Sequence, residues 1–293
     1  MLDGKDMPIF GLGVFLANAG GDECYNAVKW ALELGYRLID TAEVYQNEAE
    51  VGRAIRDSGI PRKEIFVVSK LRDDAHGYEQ ALRAGRQSAE LLAIGYMDLF
   101  LVHSPNTGKL IETWDALLKL QHDGLSMSIG VSNFNVAHIE ALHNHGRPMP
   151  AVNQIEMHPL VYEARRPLLE YCKQHNILVQ AYGSIFWGQQ DKLNDGTVAQ
   201  VVAAHPGKTP AQILLRWAVQ MGFQIIPKSV RRHRIEENMQ LFDFELSAEE
   251  MAKLSGLKGK EDTTSALGYW SPLETSVDLG RTDLGAAESR TDL

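Results

Sequence analysis

The chain has 293 residues, 44% hydrophobic and 23% charged, enough to bury the core of one large barrel or of two ordinary domains. Its net charge of −9 argues against nucleic acid as a bulk partner, because a phosphate backbone is recognised mainly by basic surface. Two cysteines, Cys24 and Cys172, make no disulfide framework and read as packed thiols in a reducing compartment.

The first ten residues carry Asp3, Lys5 and Asp6 and hold no apolar leader. No apolar run approaches the roughly 18 residues of a membrane span, so no membrane partner and a cytoplasmic location are expected. Asp3-Gly4 is a tight-turn signal, and residues 7–14 after it read as a strand. Asp22 is placed to cap a helix with apolar spacing at Ala27, Val28, Ala31 and Leu34, stopped by Gly35. Residues 36–39 form the next strand, which ends in Asp40, with Tyr45 five residues further on. A helical pattern follows from Glu48 through Val51, Ala54 and Ile55.

The alternation continues with strands expected at 65–69, 97–102, 128–131, 152–155, 177–181 and 223–226. Helices are expected at 78–92, 110–121, 136–143, 166–174, 198–204 and 235–241. Two more start at caps: Thr209 with Pro210 at the first position, and Ser247 with Glu250 closing a capping box. Eight apolar strands, each followed by a helix, predict an α/β protein with a closed parallel (β/α)8 TIM barrel rather than an open sheet. No linker divides it, so residues 1–257 are expected to form a single domain. Residues 258–293 are a Gly-, Ser-, Thr- and Asp-rich tail in which Arg-Thr-Asp-Leu occurs at 281 and again at 290. That tail is expected to be mobile or to line the substrate site, with Tyr269-Trp270 aromatic enough to dock.

In a barrel the carboxyl ends of all strands converge on one face. Here they carry Asp40 and Tyr45, Lys70, His103, Ser132 and Asn133, Gln154, Tyr182, and Lys228 with Ser229. Taken singly, a strand-end Asp or Lys reads as a salt-bridge partner and a lone His as a core residue. Together, the carboxylate, phenol, ammonium and imidazole on three consecutive strands read as a proton donor. A tyrosine titrates at about 10 and is a reluctant acid or base at neutral pH. A cation about 4 Å away favours the phenolate by roughly 4 kcal/mol at an effective dielectric near 20, and desolvation opposes it. Lys70 would supply that charge, Asp40 would hold it, and His103 would hydrogen-bond a carbonyl oxygen. These side chains contain no electron source, so a cofactor must carry hydride.

Ile226-Pro227-Lys228-Ser229 leads into Arg231, Arg232, Arg234, Glu237 and Asn238 at a helix start, which reads as an anion site or as a solvated basic turn. Gly11-Leu12-Gly13 lacks the third glycine of a dinucleotide fingerprint, so a Rossmann fold is not expected. His143 and His145 read as a surface pair, and no metal is expected. Trp30, Trp114 and Trp217 sit in helical patterns as core packing.

At these residues the sequence resembles the aldo-keto reductases. The motifs are Gly35-Tyr36-Arg37-Leu38-Ile39-Asp40-Thr41-Ala42 with Tyr45, Asn47 and Glu48; Val68-Ser69-Lys70-Leu71; and Asp98-Leu99-Phe100-Leu101-Val102-His103. They continue in Gly130-Val131-Ser132-Asn133-Phe134, in Asn153-Gln154-Ile155-Glu156 with His158-Pro159, and in Ile226-Pro227-Lys228-Ser229 with Arg234 and Glu237-Asn238. The resemblance implies a barrel binding NADPH without a Rossmann fold and reducing aldehydes or ketones to alcohols. It implies Tyr45 as general acid, with Asp40, Lys70 and His103 completing a tetrad. Ser132, Asn133 and Gln154 would hold the nicotinamide carboxamide, Tyr182 would stack on the ring, and Gly13 would adjoin the cofactor. Lys228, Ser229 and Arg234 would grip the 2′-phosphate, and Glu237 and Asn238 the adenine.

The chain departs from that pattern at the substrate pocket, assigned to Phe15, Arg72, Ser104 and Trp187. Many relatives carry Trp where this chain has Arg72 and Ser104, so the pocket is expected to be wider or more polar. Residues 183–188 lack the usual Ser-Pro-Leu, and Trp187 is positioned to replace some of the missing aromatic surface. The resemblance implies a small-molecule carbonyl as partner and a monomer. Two alternatives stay open: a Schiff-base enzyme with Lys70 as nucleophile, and a cofactor-binding barrel without turnover.

Overall fold

The computed structural model describes residues 1, 4–18, 21–106 and 108–257. Short apolar runs bounded by glycines and polar turns form eight strands: β1 Leu12–Gly13, β2 Leu38–Asp40, β3 Phe66–Leu71, β4 Met97–Val102, β5 Ser126–Ser132, β6 Val152–Glu156, β7 Leu178–Tyr182 and β8 Gln224–Ile225. Each pairs in parallel with the next, from β1 to β8. Parallel bridges Phe10↔Ile225 and Gly13↔Lys228 join the last strand to the first. A β-carbon at Gly13 would lie 2.8 Å from the Ile226 carbonyl oxygen, so a glycine is what lets this seam close.

Because strand side chains alternate, each strand feeds two apolar layers. Leu38, Phe66, Val68, Leu99, Leu101, Val152 and Ile226 fill the barrel interior. Ile39, Val67, Phe100 and Val131 point outward and join the larger cluster beneath the helices. Burial of each such side chain contributes about 1.5–3 kcal/mol, so the interior cluster alone is a substantial brace. Trp114 and Trp217 are fully buried in the larger cluster beneath the helices, and Trp30 packs against the same layer.

The helix Tyr78–Leu92 and strand Met97–Val102 have the expected bounds. The capping boxes of Thr209 with Gln212 and Ser247 with Glu250 both form. Three expectations are corrected. Within 7–14, only Leu12–Gly13 is strand, preceded by the Phe10 bridge, because the chain meets β8 only from that point. Asp22 is not the cap: Gly21 is, and the Asp22 carboxylate accepts from Arg53 at 3.2 Å. The helix expected from 166 begins at Pro159, a favourable first position, and carries Pro167 inside it at the expense of one backbone hydrogen bond. Asp3 of the expected turn and the whole tail 258–293, with Tyr269, Trp270 and the repeat, lie outside the described residues. Among the described residues no helix is long and apolar enough to cross a membrane.

Candidate active site

The interior of the barrel changes character towards the carboxyl ends of the strands. Leu38 is followed on the same face by Asp40, Val68 by Lys70, Leu101 by His103 and Val152 by Gln154. Above them opens a cleft of about 1050 Å³. It is lined by Gly13, Phe15, Asp40, Tyr45, Arg72, His103, Ser104, Ser132, Asn133, Gln154, Tyr182, Trp187, Lys228, Ser229 and Arg234, among others.

Lys70 is fully buried, and its ammonium is surrounded by acceptors. It donates to Asp40 Oδ1 at 2.6 Å, to the Thr41 carbonyl at 2.8 Å and to the Tyr45 hydroxyl at 3.4 Å. Gln154 Nε2 holds the other Asp40 oxygen at 2.7 Å and reaches Gln180 Oε1 at 2.5 Å. Burial pushes the Asp40 carboxyl up and the Lys70 ammonium down, and their mutual attraction opposes both. With each charge matched and hydrogen-bonded, the pair is held as an ion pair.

Tyr45 sits on a short 3₁₀ turn, Glu43–Tyr45, directly after β2. Its ring meets His103 edge-on at 5.8 Å. The expectation that Lys70 shifts the phenol towards ionisation is overturned. Burial, then the Asp40 charge, holds the Tyr45 hydroxyl well above its ordinary range, because the lysine's charge is already offset by its carboxylate partner. Tyr45 is therefore a neutral phenol at pH 7. Burial, then repulsion from Lys70 and His76, drives His103 down to about 3, leaving a neutral imidazole. A neutral ring carries one N–H donor and one acceptor nitrogen.

Asn133 lies at a left-handed backbone position, φ 62°, which asparagine tolerates. Its amide donates to the His103 carbonyl at 3.0 Å and to Ser132 Oγ at 3.1 Å, and its oxygen accepts from the Tyr182 hydroxyl at 2.6 Å. Ser132 Oγ donates to the Gln154 carbonyl at 2.9 Å. At the far end Lys228, Arg231 and Arg234 face the cleft where the helix Arg232–Met239 begins. Glu237 and Asn238 are not brought to it. Glu237 accepts from Thr209 Oγ1 at 2.8 Å, and Asn238 is buried.

Sequence reasoning gave Glu156 no role, although it follows Gln154 on the same face of β6 and lines the cleft. Its carboxylate accepts from Trp187 Nε1 at 2.6 Å and from His158 at 3.1 Å. Trp187 thereby lies edge-on to Tyr182 at 5.5 Å and to Phe15 at 6.2 Å, and Phe15 meets Tyr45 at 5.1 Å. Four rings thus form an arc along one side. Gly183 makes room for the indole: a β-carbon there would lie 3.0 Å from it. Among the described residues no group of three or more His, Cys, Asp or Glu side chains could hold a metal ion.

A closed parallel barrel whose strand ends gather a phenol, an ion pair and a neutral imidazole in one cleft places the chain among the (β/α)8 barrel proteins. The particular family follows from comparison. The model of the Aldo/keto reductase family matches residues 20–258, and the chain belongs to that family. It is 44% identical over 251 residues to a 9,11-endoperoxide prostaglandin H2 reductase of Trypanosoma cruzi, covering 86% of this chain and 88% of that one. It is 44% identical over 259 residues to a glyoxal reductase of Bacillus subtilis, covering 88% and 92%. Among solved structures, a Gox0644 variant in complex with NADPH superposes with a TM-score of 0.81 at 39% identity, over 88% of this chain and 92% of that one.

Proposed function

We propose that this protein is an NADPH-dependent reductase of aldehydes or ketones, of the alcohol dehydrogenase or aldehyde reductase type, with Tyr45 as proton donor. The observation that carries the reading is the 3.4 Å contact between Lys70 Nζ and the Tyr45 hydroxyl, made while Lys70 is paired to Asp40. The residues suit the dinucleotide at both ends: a phenol and amides line the barrel mouth, and Lys228 and Arg234 offer cations, with the Ser229 hydroxyl, to a phosphate. When bound, NADPH supplies the hydride.

The side chains divide the remaining work. Neutral His103 donates its N–H to the substrate oxygen and orients the carbonyl. Tyr45 releases its proton to that oxygen as negative charge develops there. The phenolate left behind is stabilised by the adjacent Lys70 ammonium, so the lysine acts mainly after the proton has moved. Ser132, Asn133 and Gln154 offer amide and hydroxyl groups to the carboxamide, Tyr182 a flat ring, and Gly13 a close backbone approach. Glu237 and Asn238 would have to release their present surroundings to reach an adenine. Phe15, Arg72, Ser104 and Trp187 wall the substrate. On this reading the partner is a small carbonyl compound, and the protein works as a monomer in the cytoplasm.

The Schiff-base alternative loses ground because the Lys70 ammonium is engaged by three acceptors at once. The reading is tested by following NADPH and NADH oxidation against a panel of aldehydes, ketones and quinones. Turnover with NADPH is expected, and Arg234→Met should weaken NADPH binding at least tenfold more than NADH binding. Equal losses for the two cofactors would remove Arg234 from the 2′-phosphate, and no turnover of any carbonyl would remove the reductase.

A further inference from the structure

The cleft is also walled by the segments after β2, β3 and β4, and the reaction itself does not require the charges found there. Glu43 stands two residues before Tyr45 in the same 3₁₀ turn. Arg72 directly follows β3, and its backbone N–H donates to Glu43 Oε2 at 3.2 Å. Its guanidinium pairs with Asp74. Asp73, between them, accepts a hydrogen bond from the Ser104 hydroxyl. Ser104 is only 1% exposed and directly follows His103. All five line the cleft. Arg72 and Ser104 are thus both tied into a set of carboxylates at the cleft wall.

Three carboxylates against one guanidinium leave this wall with a formal charge of −2, and Asp74 already compensates Arg72. The other end of the same cleft carries Lys228, Arg231 and Arg234. The cleft is therefore electrostatically two-ended. A substrate anion held beside Tyr45 and His103 would adjoin Glu43, two residues before Tyr45, and Asp73, bonded to the Ser104 that follows His103, and their charges repel it most strongly at low salt. A hydroxyl in the same place can donate to a carboxylate oxygen, a charge-assisted bond stronger than one to a neutral acceptor. A cation gains in the same way.

We propose that the wall of Glu43, Asp73 and Ser104 sets the substrate class: carbonyl compounds bearing hydroxyl or cationic groups beside the carbonyl are accepted, and those bearing a carboxylate or phosphate there are excluded. This rests on the reductase reading above and specifies what that reductase reduces. Recognition of a specific substrate then comes as much from repulsion of the wrong one as from attraction of the right one.

The test is the ratio of kcat/KM within two size-matched pairs, with NADPH saturating: glycolaldehyde against glyoxylate, and para-(hydroxymethyl)benzaldehyde against para-carboxybenzaldehyde. The wild-type protein should favour the neutral member of each pair by about tenfold or more at low ionic strength, and added salt should narrow the gap. The double variant Glu43→Gln, Asp73→Asn should cut the preference by roughly three- to tenfold, through a fall in KM for the anion. Salt dependence of the wild-type ratio needs no variant to fold. Equal use of the anion, a ratio indifferent to salt, or a preference unaltered in the double variant would each overturn the inference. Absence of turnover with all four carbonyls would instead overturn the reductase reading beneath it.

Discussion

Lys70 is fully buried at the end of β3 and is held by Asp40, Thr41 and Tyr45, whereas Arg72, two residues on, is exposed and pairs with its near neighbour Asp74. One cation is positioned by strands from two sides and by a partner thirty residues away in sequence. The other is positioned by a local turn at the cleft's rim. The difference teaches where this barrel keeps its geometry rigid and where it leaves room for change. Removing one partner of a buried ion pair strands the other and costs about 3–5 kcal/mol, while an exposed pair contributes about 0–1 kcal/mol. The reaction centre is therefore coupled to stability, and the substrate wall is free to vary with it.

The contrast can be broken most forcefully at Lys70. Lys70→Met should abolish turnover and lower stability by about 3–5 kcal/mol in chemical denaturation, because Asp40 is left buried beside no cation. A variant of wild-type stability would show that the ion pair is not what holds the mouth of the barrel together.

The next effect is expected from acid. Burial lowers buried His76 to about 4 and His103 to about 3, both below the ordinary value of 6.5. A group depressed in this direction binds more protons when unfolded, so stability rises with pH across the interval between the two values. It is fully present above pH 6.5 and is lost as pH falls towards 4, by about 3 kcal/mol for His76 alone. Melting temperatures measured between pH 7 and pH 4 check this. Buried carboxylates such as Glu48 and Asp98, pushed up by burial, titrate with the opposite sign, so the comparison is with His76→Gln: a pH dependence unchanged in that variant would contradict neutral burial of His76. The smallest effect belongs to the rim: Arg72→Ala should change stability by no more than about 1 kcal/mol in the same denaturation experiment.

Much of this contrast is readable before any coordinates. Strand ends announce themselves because a short apolar run stops at a polar residue, and Asp40, Lys70 and His103 all do so. The helix Tyr78–Leu92 has its expected bounds because Gly77 opens it and its apolar faces recur at helical spacing. The start at Pro159 is hidden because a second proline eight residues later looks like a beginning. Residue identity also does not reveal burial, and burial decides the sign of the Tyr45 shift. Lys70 can look like a charge aimed at the phenol until Asp40 is seen to neutralise it. Glu156 gives no sequence signal beyond its place two residues after Gln154. Its hydrogen bond to Trp187 spans thirty-one positions and joins the end of β6 to the turn after β7, a meeting no local pattern encodes.

The central claim is that Tyr45, kept neutral by burial, gives up the proton while its neighbours only prepare and receive the charge. Its most direct test is Tyr45→Phe, assayed for NADPH binding by fluorescence and for carbonyl-dependent NADPH oxidation. NADPH affinity within about threefold of wild type, with turnover reduced by about 10²–10⁴, is the predicted result. Turnover within tenfold of wild type would contradict it and move the proton donor elsewhere in the cleft.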